Sequence, residues 1–237
     1  MSAGGRTELE PGFVLHRRPF RDTSLVVEVF TRHHGRVGLV ARSARGPRSR
    51  FRGVLQPFAL LLLSWRIRGE LGTLTGVEAA GPPPPPAAGT RLLSMFYVNE
   101  LVLRLTQRQD PHAELYDAYG DVLARLGREP APAPALRVFE KRLLESLGYG
   151  VDLAVDASGR PVEATKTYRF DPEAGVFACD PGTAGALSGG SLLALAREAP
   201  ESPGELADAL RLTRTALDAQ LGDKGLKTRE LLARLRR

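Results

Sequence analysis

The sequence predicts an α+β protein with a small closed β-barrel first, a helical domain after it, and a β-hairpin inserted among the helices. Before residue 80, short runs are rich in β-branched and aromatic residues and are separated by turn residues. After residue 89, apolar residues recur instead with helical spacing. Between the two parts lies GPPPPPAAG, residues 81–89, whose prolines favour a stiff extended linker.

Five segments of the first 80 residues are predicted to be strands. They are residues 13–16, 24–31, 36–41, 56–65 and 71–77. Two architectures close five short strands into a barrel of this size: the OB barrel, which often binds single nucleic-acid strands, and the SH3-like barrel. Both remain open from the strand pattern, and residues 1–80 are predicted to form one basic domain.

Helix start and stop signals divide the chain beyond the linker. Thr90 is a candidate N-cap for the first helix, Asp110-Pro111 is a typical opening of the second, and Gly148 closes the third. Together with the helices near the C-terminus, they predict a helical domain made of residues 90–150 and 185–237.

The C-terminal helices have equally clear signals. Ser202-Pro203-Gly204-Glu205 has the spacing of a capping box, and the helix that it starts is predicted to end at Gly222. Ser188 is a candidate cap for an earlier helix. Residues 228–236 are predicted to form the last helix.

The predicted insert, residues 151–184, is poor in helical signals. Residues 167–170 and 176–179 flank a turn at Asp171-Pro172, which is typical of a β-hairpin. The only cysteine of the chain, Cys179, lies in this segment. A disulfide within the chain and a zinc site of clustered thiolates are therefore excluded.

The positive charge of the chain is concentrated in its first third. Residues 1–80 contain 13 arginines and 6 acids, whereas the remainder contains 20 basic and 21 acidic residues. Between Glu28 and Glu70 there are nine arginines and no acid. A field of one sign attracts polyanions such as nucleic acid, acidic protein tails or anionic membranes. An arginine-rich surface without a partner is the alternative.

The most concentrated basic stretch is LVARSARGPRSRFRG, residues 39–53. Arginine binds phosphate with paired hydrogen bonds, serine adds hydroxyl donors, and glycine lets the backbone approach closely. Phe51 is a candidate for stacking on a base, although core packing competes for this ring and for Phe20 and Trp65. The predicted nucleic-acid-binding residues are Arg36, Arg42, Arg45, Arg48, Arg50, Phe51 and Arg52, with a second basic cluster at Lys224, Lys227 and Arg229.

Motifs of catalysis are missing from the sequence. There is no glycine loop with a phosphate-binding lysine and no histidine pair at zinc spacing, and GALSGG at residues 185–190 lacks the spacing of a nucleophile elbow. We therefore expect a protein that is not an enzyme and uses no cofactor or metal. The start has no apolar signal segment, and the longest apolar run, residues 58–63, is too short to span a bilayer. We expect a cytoplasmic protein with no membrane partner.

Six stretches together resemble the RecO family of bacterial recombinational repair mediators. In chain order they are FVLHRRPFRDTSLVVEVFT, GRVGLVARSAR, LQPFALLLLSWRIRGELGTL, FYVNELVLRL, ALRVFEKRLLESLGYGV and LGDKGLKTREL. The resemblance extends over nearly the whole chain. It implies an N-terminal OB-fold β-barrel, a helical domain and a small inserted subdomain.

The resemblance also implies a function and partners. RecO proteins bind single- and double-stranded DNA, anneal complementary strands, and act with RecR and with the acidic C-terminal tail of single-stranded-DNA-binding protein to help RecA load. Such a protein would be associated with the nucleoid. Many members hold zinc with four cysteines in the insert, but residues 151–161 contain no cysteine. We therefore expect hydrophobic packing to hold the insert here.

The third predicted helix carries a candidate site for the acidic tail. Arg137 and Lys141 lie one turn apart on one face, and cations beside an apolar groove can hold an acidic peptide that ends in a bulky apolar residue. The resemblance implies tail binding at this helix. The predicted residues are Leu136, Arg137, Phe139 and Lys141. Internal pairing of the two cations with Glu140 or Glu145 is the alternative.

Two other functions are compatible with the residues alone. A generic RNA-binding or ribosome-associated OB protein would use the same arginines, and it would prefer structured RNA to DNA strands. A metal-independent hydrolase would require turnover of a substrate, which the composition does not indicate.

Overall fold

Five strands form a closed barrel in the first of two compact units, which ends at Leu123. The structure is a computed structural model that describes residues 5–51, 53–84, 86–222 and 225–235. The strands are β1 (Arg6–Phe20), β2 (Ser24–Thr31), β3 (Gly35–Ala41), β4 (Leu60–Ile67) and β5 (Gly72–Ala79). Their order is β1-β2-β3-β5-β4, and only β3 and β5 pair in parallel. The predicted OB-fold barrel is thereby confirmed.

All five predicted strands are present; the limits of β2 agree with the prediction, those of β3 and β5 differ by one or two residues, and those of β1 and β4 differ by more. β1 is 15 residues long because its first half pairs with β4 and its second half with β2. β4 starts at Leu60 rather than at residue 56, since the chain before it turns at Phe58, where φ is 69°. The length of β1 comes from long-range pairing, which the local strand pattern does not contain.

Two helices follow the barrel: α1 (Gly89–Leu105) and α2 (Ala113–Arg128). The buried Tyr119 hydroxyl donates to the side-chain oxygen of Asn99 (2.6 Å), and the Asn99 amide donates to the backbone carbonyl of Leu15 in β1 (2.7 Å). Buried polar groups of this kind are costly unless they are paired. The network therefore fastens α1 and the first part of α2 to the barrel.

Two predicted helix starts differ from those observed. α1 begins one residue before Thr90, because the chain leaves its extended conformation at Ala88, and no side chain caps the helix. α2 begins at Ala113, two residues after the predicted opening at Asp110-Pro111. In both cases the preceding segment determines where helical conformation starts.

The second compact unit starts at Ala124. Its elements are α3 (Ala133–Ser146), β6 (Thr167–Asp171), β7 (Gly175–Cys179), β8 (Leu187–Ser188), α4 (Gly189–Ala196), α5 (Pro203–Leu221) and α6 (Lys227–Leu235). The predicted hairpin is β6–β7, and β8 adds a third strand beside β6. The capping box is also present, because Ser202 Oγ accepts from the Glu205 N–H while the Glu205 carboxylate accepts from the Ser202 N–H.

The compact units do not follow the predicted domain limits. The structure places α1 and most of α2 in the unit of the barrel, whereas the sequence pattern assigns residues 90–150 to the helical domain. The four predicted segments, 1–80, 81–89, 90–150 with 185–237, and 151–184, stay a prediction. None of the described helices is long and apolar enough to cross a membrane.

Candidate nucleic-acid interface

The basic loop, residues 42–51, follows β3 and is held in place by its apolar residues. Ala44 and Phe51 are each only 6% exposed and pack into the barrel core. The backbone N–H of Arg45 donates to the carbonyl of Thr23 (2.8 Å), which ties the loop to the turn between β1 and β2. The loop therefore has a defined course without regular secondary structure.

Four arginines of the basic loop are exposed. They are Arg42, Arg45, Arg48 and Arg50. In the part of the chain that the structure describes, none of the four has a carboxylate within salt-bridge distance. An incoming phosphate therefore displaces no carboxylate, and the charge of these guanidinium groups is available to a polyanion.

A groove of about 490 Å³ lies between the basic loop and β5. Arg50 is fixed at this groove, because its Nη2 donates to the backbone carbonyl of Thr75 (2.7 Å) and its guanidinium lies 4.9 Å from the centre of the Phe51 ring. The nine described residues that line the groove are Arg42, Ser43, Arg48, Ser49, Arg50, Phe51, Thr73, Leu74 and Thr75, and none of them is acidic.

The structure adds three arginines that the sequence prediction missed. They are the exposed Arg17, Arg18 and Arg21. Pairing of Leu25 with Ala41 places the turn between β1 and β2 beside the basic loop, and Arg17 donates to the backbone carbonyl of Leu55 after that loop. The sequence contains HRRPFR at residues 16–21, at the end of β1, but only the pairing of β1 with β2 and of β2 with β3 places it beside the basic loop.

Arg36 is a correction to the predicted site. Its side chain is only 14% exposed, and it donates to Glu28 (2.9 Å), to the Thr106 hydroxyl (3.0 Å) and to the Thr106 carbonyl (2.8 Å). Burial lowers the pKa of this guanidinium, while Glu28 opposes the shift. Arg36 therefore joins the barrel to the end of α1, and its N–H groups donate to partners inside the first unit.

The predicted stacking role of Phe51 is also wrong, because the ring is buried in the barrel core beneath Arg50. Trp65, another aromatic considered for stacking, is fully buried. Phe20 is partly exposed and carries the Arg21 guanidinium 5.2 Å from its ring centre. Core packing thus decides the position of two of these three rings.

Of the other four predicted basic residues, the structure describes two. Arg52 and Lys224 lie outside the described residues. Lys227 and Arg229 are in α6 of the second unit, where Arg229 is paired with Asp218 of α5. A role of α6 in DNA binding stays a prediction.

The predicted tail site on α3 is largely buried. Leu136 is 8% exposed and Phe139 1%, and Arg137 donates to the buried Glu140 (2.6 Å). Lys141 pairs with Glu145 of the same helix and with Glu198, which follows α4. These ion pairs lie inside the second unit. Internal pairing, the alternative weighed above, is therefore present, and tail binding stays a prediction.

Lys141, one of the predicted tail residues, lines a cavity of this unit. The cavity measures about 550 Å³ and is formed by the end of α3, the chain after it and the end of α4. It is lined by Lys141, Glu145, Gly148, Gly150, Val151, Asp152, Leu153, Ala154 and Ala196. The Lys141 side chain, 15% exposed and paired with Glu145, thus lies in the wall of this cavity.

The insert is held without a metal-ligand set. Its side chains Leu153, Val162 and Tyr168 pack with residues of α4 and α5 in one buried cluster. Asp156 accepts the backbone N–H groups of Ser158 (2.8 Å) and Arg160 (3.1 Å) and so closes the turn of the insert. The described residues contain no group of three or more histidine, cysteine or acidic side chains that could hold a metal, so this insert does not fit a zinc ion.

Known proteins match this chain over almost its full length. The family model of the recombination protein O N terminal matches residues 6–83, and that of the recombination protein O C terminal matches residues 87–230. DNA repair protein RecO of Alkalilimnicola ehrlichii is 47% identical over 240 residues, which cover 99% of this chain and 94% of that protein. DNA repair protein RecO of Thiobacillus denitrificans is 44% identical over 246 residues, covering 99% and 95%. The RecO of Nitrosococcus oceani is 47% identical over 235 residues, covering 98% and 95%.

Proposed function

The chain belongs to the RecO family of DNA repair proteins, and on this premise we propose that it binds single- and double-stranded DNA and anneals complementary strands. The observation that carries the proposal is the group of four exposed arginines without a carboxylate partner on the OB barrel. The protein acts as a mediator of recombinational repair and not as an enzyme, and it consumes no nucleotide.

The proposed annealing follows from the charge of the basic loop. Arginine side chains bind phosphate oxygens and release the counterions condensed on DNA. Two strands bound to one positive surface repel each other less, while their pairing edges stay uncovered. The rate of annealing should therefore rise with protein at low salt and fall steeply as salt is added, since each phosphate contact on a single strand contributes a log–log slope of about −0.7.

The direct experiment is annealing of two labelled complementary oligonucleotides without nucleotide, at two salt concentrations. The test variant replaces the four exposed arginines of the basic loop by alanine: Arg42, Arg45, Arg48 and Arg50. A control variant with the same loss of charge replaces four exposed arginines of the second unit: Arg128, Arg169, Arg197 and Arg214. Unfolding in urea checks that both variants are folded.

We expect wild type and control to accelerate annealing and the loop variant to lose most of this effect. Equal loss in both variants would show that net charge, and not the basic loop, is responsible. A wild-type protein that ignores DNA at low salt but binds structured RNA would contradict the proposal in favour of an RNA-binding OB protein.

We further propose that the protein acts with RecR and with the tail of single-stranded-DNA-binding protein to help RecA load, at the nucleoid. The support is membership of the RecO family together with Lys141 at the open cavity of the second unit. Fluorescence anisotropy of a labelled acidic tail peptide tests the second contact. Lys141→Ala should weaken binding several-fold, whereas Lys166→Ala, which removes an exposed lysine paired with Glu163, should not. Equal affinities of all three proteins would place the tail elsewhere.

A further inference from the structure

We propose that Arg50 is a stacking platform for an unpaired base, which makes the groove beside β5 selective for single-stranded DNA. The rim arginines, Arg17, Arg18, Arg21 and Arg45, which are exposed but do not line the groove, then serve single strands and duplex alike. This inference rests on the proposed DNA-binding function and specifies which part of the surface distinguishes the two forms of DNA.

The Arg50 guanidinium is held from two directions. Thr75 accepts a hydrogen bond from Nη2 (2.7 Å), and the Phe51 ring supports the group from the core side at 4.9 Å. Because Arg50 is exposed while Phe51 is 6% exposed, solvent reaches the guanidinium from the side opposite the ring. A base placed there would continue a stack that begins with the buried phenylalanine.

This arrangement suits an unpaired base and not a paired one. Nucleic-acid bases stack on aromatic rings and on the guanidinium plane of arginine when they are splayed out of a helix. In a duplex each base is covered on both faces by its neighbours, so that a protein reaches the phosphates and the groove edges only. The hydroxyl groups of Ser49 and Thr73 in the same groove can hold the adjoining phosphate or sugar.

Charge and stacking can be separated at this residue. Lysine keeps the positive charge of arginine but has no plane on which a base can stack. Arg50→Lys therefore removes the proposed platform and leaves a cation that still attracts phosphate. The same substitution at Arg45 is a matched control, because Arg45 is exposed in the same loop but does not line the groove.

The experiment measures the affinity of wild type, Arg50→Lys and Arg45→Lys for three oligonucleotides by fluorescence anisotropy at fixed salt. They are a single strand, the same strand with abasic residues at its central positions, and a duplex of the same length. For Arg50→Lys we expect about tenfold weaker binding of the intact strand, with less than about a twofold change for the abasic strand and the duplex and an unchanged salt slope. For Arg45→Lys we expect a small weakening of binding that is the same for all three oligonucleotides.

Equal weakening of the intact and the abasic strand by Arg50→Lys would overturn the inference, because it would make Arg50 a phosphate contact only. No change with any ligand would overturn it as well. A wild-type protein that binds none of the three oligonucleotides would instead refute the proposed DNA-binding function on which the inference rests. Since Arg50 is exposed, its replacement by lysine should leave the urea midpoint unchanged, and that measurement accompanies the binding data.

Discussion

The arginines of the basic loop and the cations of α3 have the same chemistry in opposite surroundings. In the loop, four guanidinium groups are exposed without a carboxylate partner among the described residues. In α3, Arg137 is buried against Glu140, and Lys141 is paired with Glu145 and Glu198. The comparison teaches that a cation meets a ligand without losing an ion pair where the fold brings no acid to it, whereas Lys141 has to exchange its carboxylate partners for a ligand.

The cause of the difference is partly local. A helix brings residues three and four positions apart together, so an acid following Arg137 and Lys141 at that spacing pairs with each of them. The loop lies in a stretch from Glu28 to Glu70 that contains no acid. Glu28 itself is occupied, because Arg36 and Arg108 both donate to its carboxylate.

The largest expected effect is the loss of stability when the buried ion pair of α3, Arg137 with Glu140, is removed. Arg137→Ala should destabilise the protein by about 3–5 kcal/mol, because it removes the buried guanidinium that donates to the Glu140 carboxylate, which is 1% exposed. The double variant Arg137→Met/Glu140→Leu should recover much of this loss, although Thr213 then loses the acceptor of its hydroxyl. Urea unfolding of the three proteins gives the free energies. A cost below about 1 kcal/mol for Arg137→Ala would show that the buried pair adds little to the stability of the protein.

The next effect concerns Arg36, which belongs with the paired cations although it precedes the basic loop. Arg36→Ala should cost about 1–3 kcal/mol of unfolding free energy, since three hydrogen bonds to Glu28 and Thr106 are lost. The log–log salt slope for DNA binding should be the same for Arg36→Ala and wild type. A smaller slope with unchanged stability would show that Arg36 contacts DNA.

A single exposed arginine should behave in the reverse way. Arg48→Ala should change the unfolding free energy by less than about 0.5 kcal/mol and reduce the log–log salt slope for single-stranded DNA by about 0.7. Anisotropy titrations at several salt concentrations measure this slope. Arg169→Ala, which removes an exposed arginine of the second unit, is the control and should leave the slope unchanged; equal slopes for wild type and Arg48→Ala would argue against phosphate contact.

The smallest effect is a pH dependence in the paired region. Hydrogen bonds from Arg142 hold the pKa of Glu198 below its usual value, and Lys141 adds to this. A lowered folded-state pKa contributes stability that is complete above the unfolded pKa of about 4.3 and is lost as the pH falls through the folded value. The pair is partly exposed, so the contribution should be below about 1 kcal/mol. Glu198→Gln should therefore approach wild-type stability between about pH 5 and pH 3, and a difference that stays constant over this range would contradict the assignment.

Much of the fold could be predicted from the sequence because its signals are local. β-Branched runs mark the five strands, the capping box at Ser202 starts α5, and the turn at Asp171-Pro172 lies inside the β6–β7 hairpin. The start of α1 could not be placed from Thr90, because it depends on where the preceding proline-rich segment leaves its extended conformation. Errors of this kind lie at the ends of elements, whereas β8, a strand of two residues, was not predicted at all.

Of the candidate site, the sequence predicts the four exposed arginines of the basic loop but not their surroundings. Four exposed arginines lie where the sequence places a cluster of positive charge, but Phe51 is drawn into the barrel core and Arg36 is captured by Glu28 and Thr106. The arginines beside the turn between β1 and β2 were missed for the same reason: strand pairing decides what lies next to the loop.

By itself, the sequence determined the class of the fold, its caps and turns, and the absence of acids between Glu28 and Glu70, because each of these is a property of neighbouring residues. Only the tertiary structure decided which cations are exposed and which are paired. Arg36 is paired with Thr106, 70 positions away, and Lys141 with Glu198, 57 positions away. Contacts over such distances depend on how strands and helices pack, and no local pattern of residues specifies them.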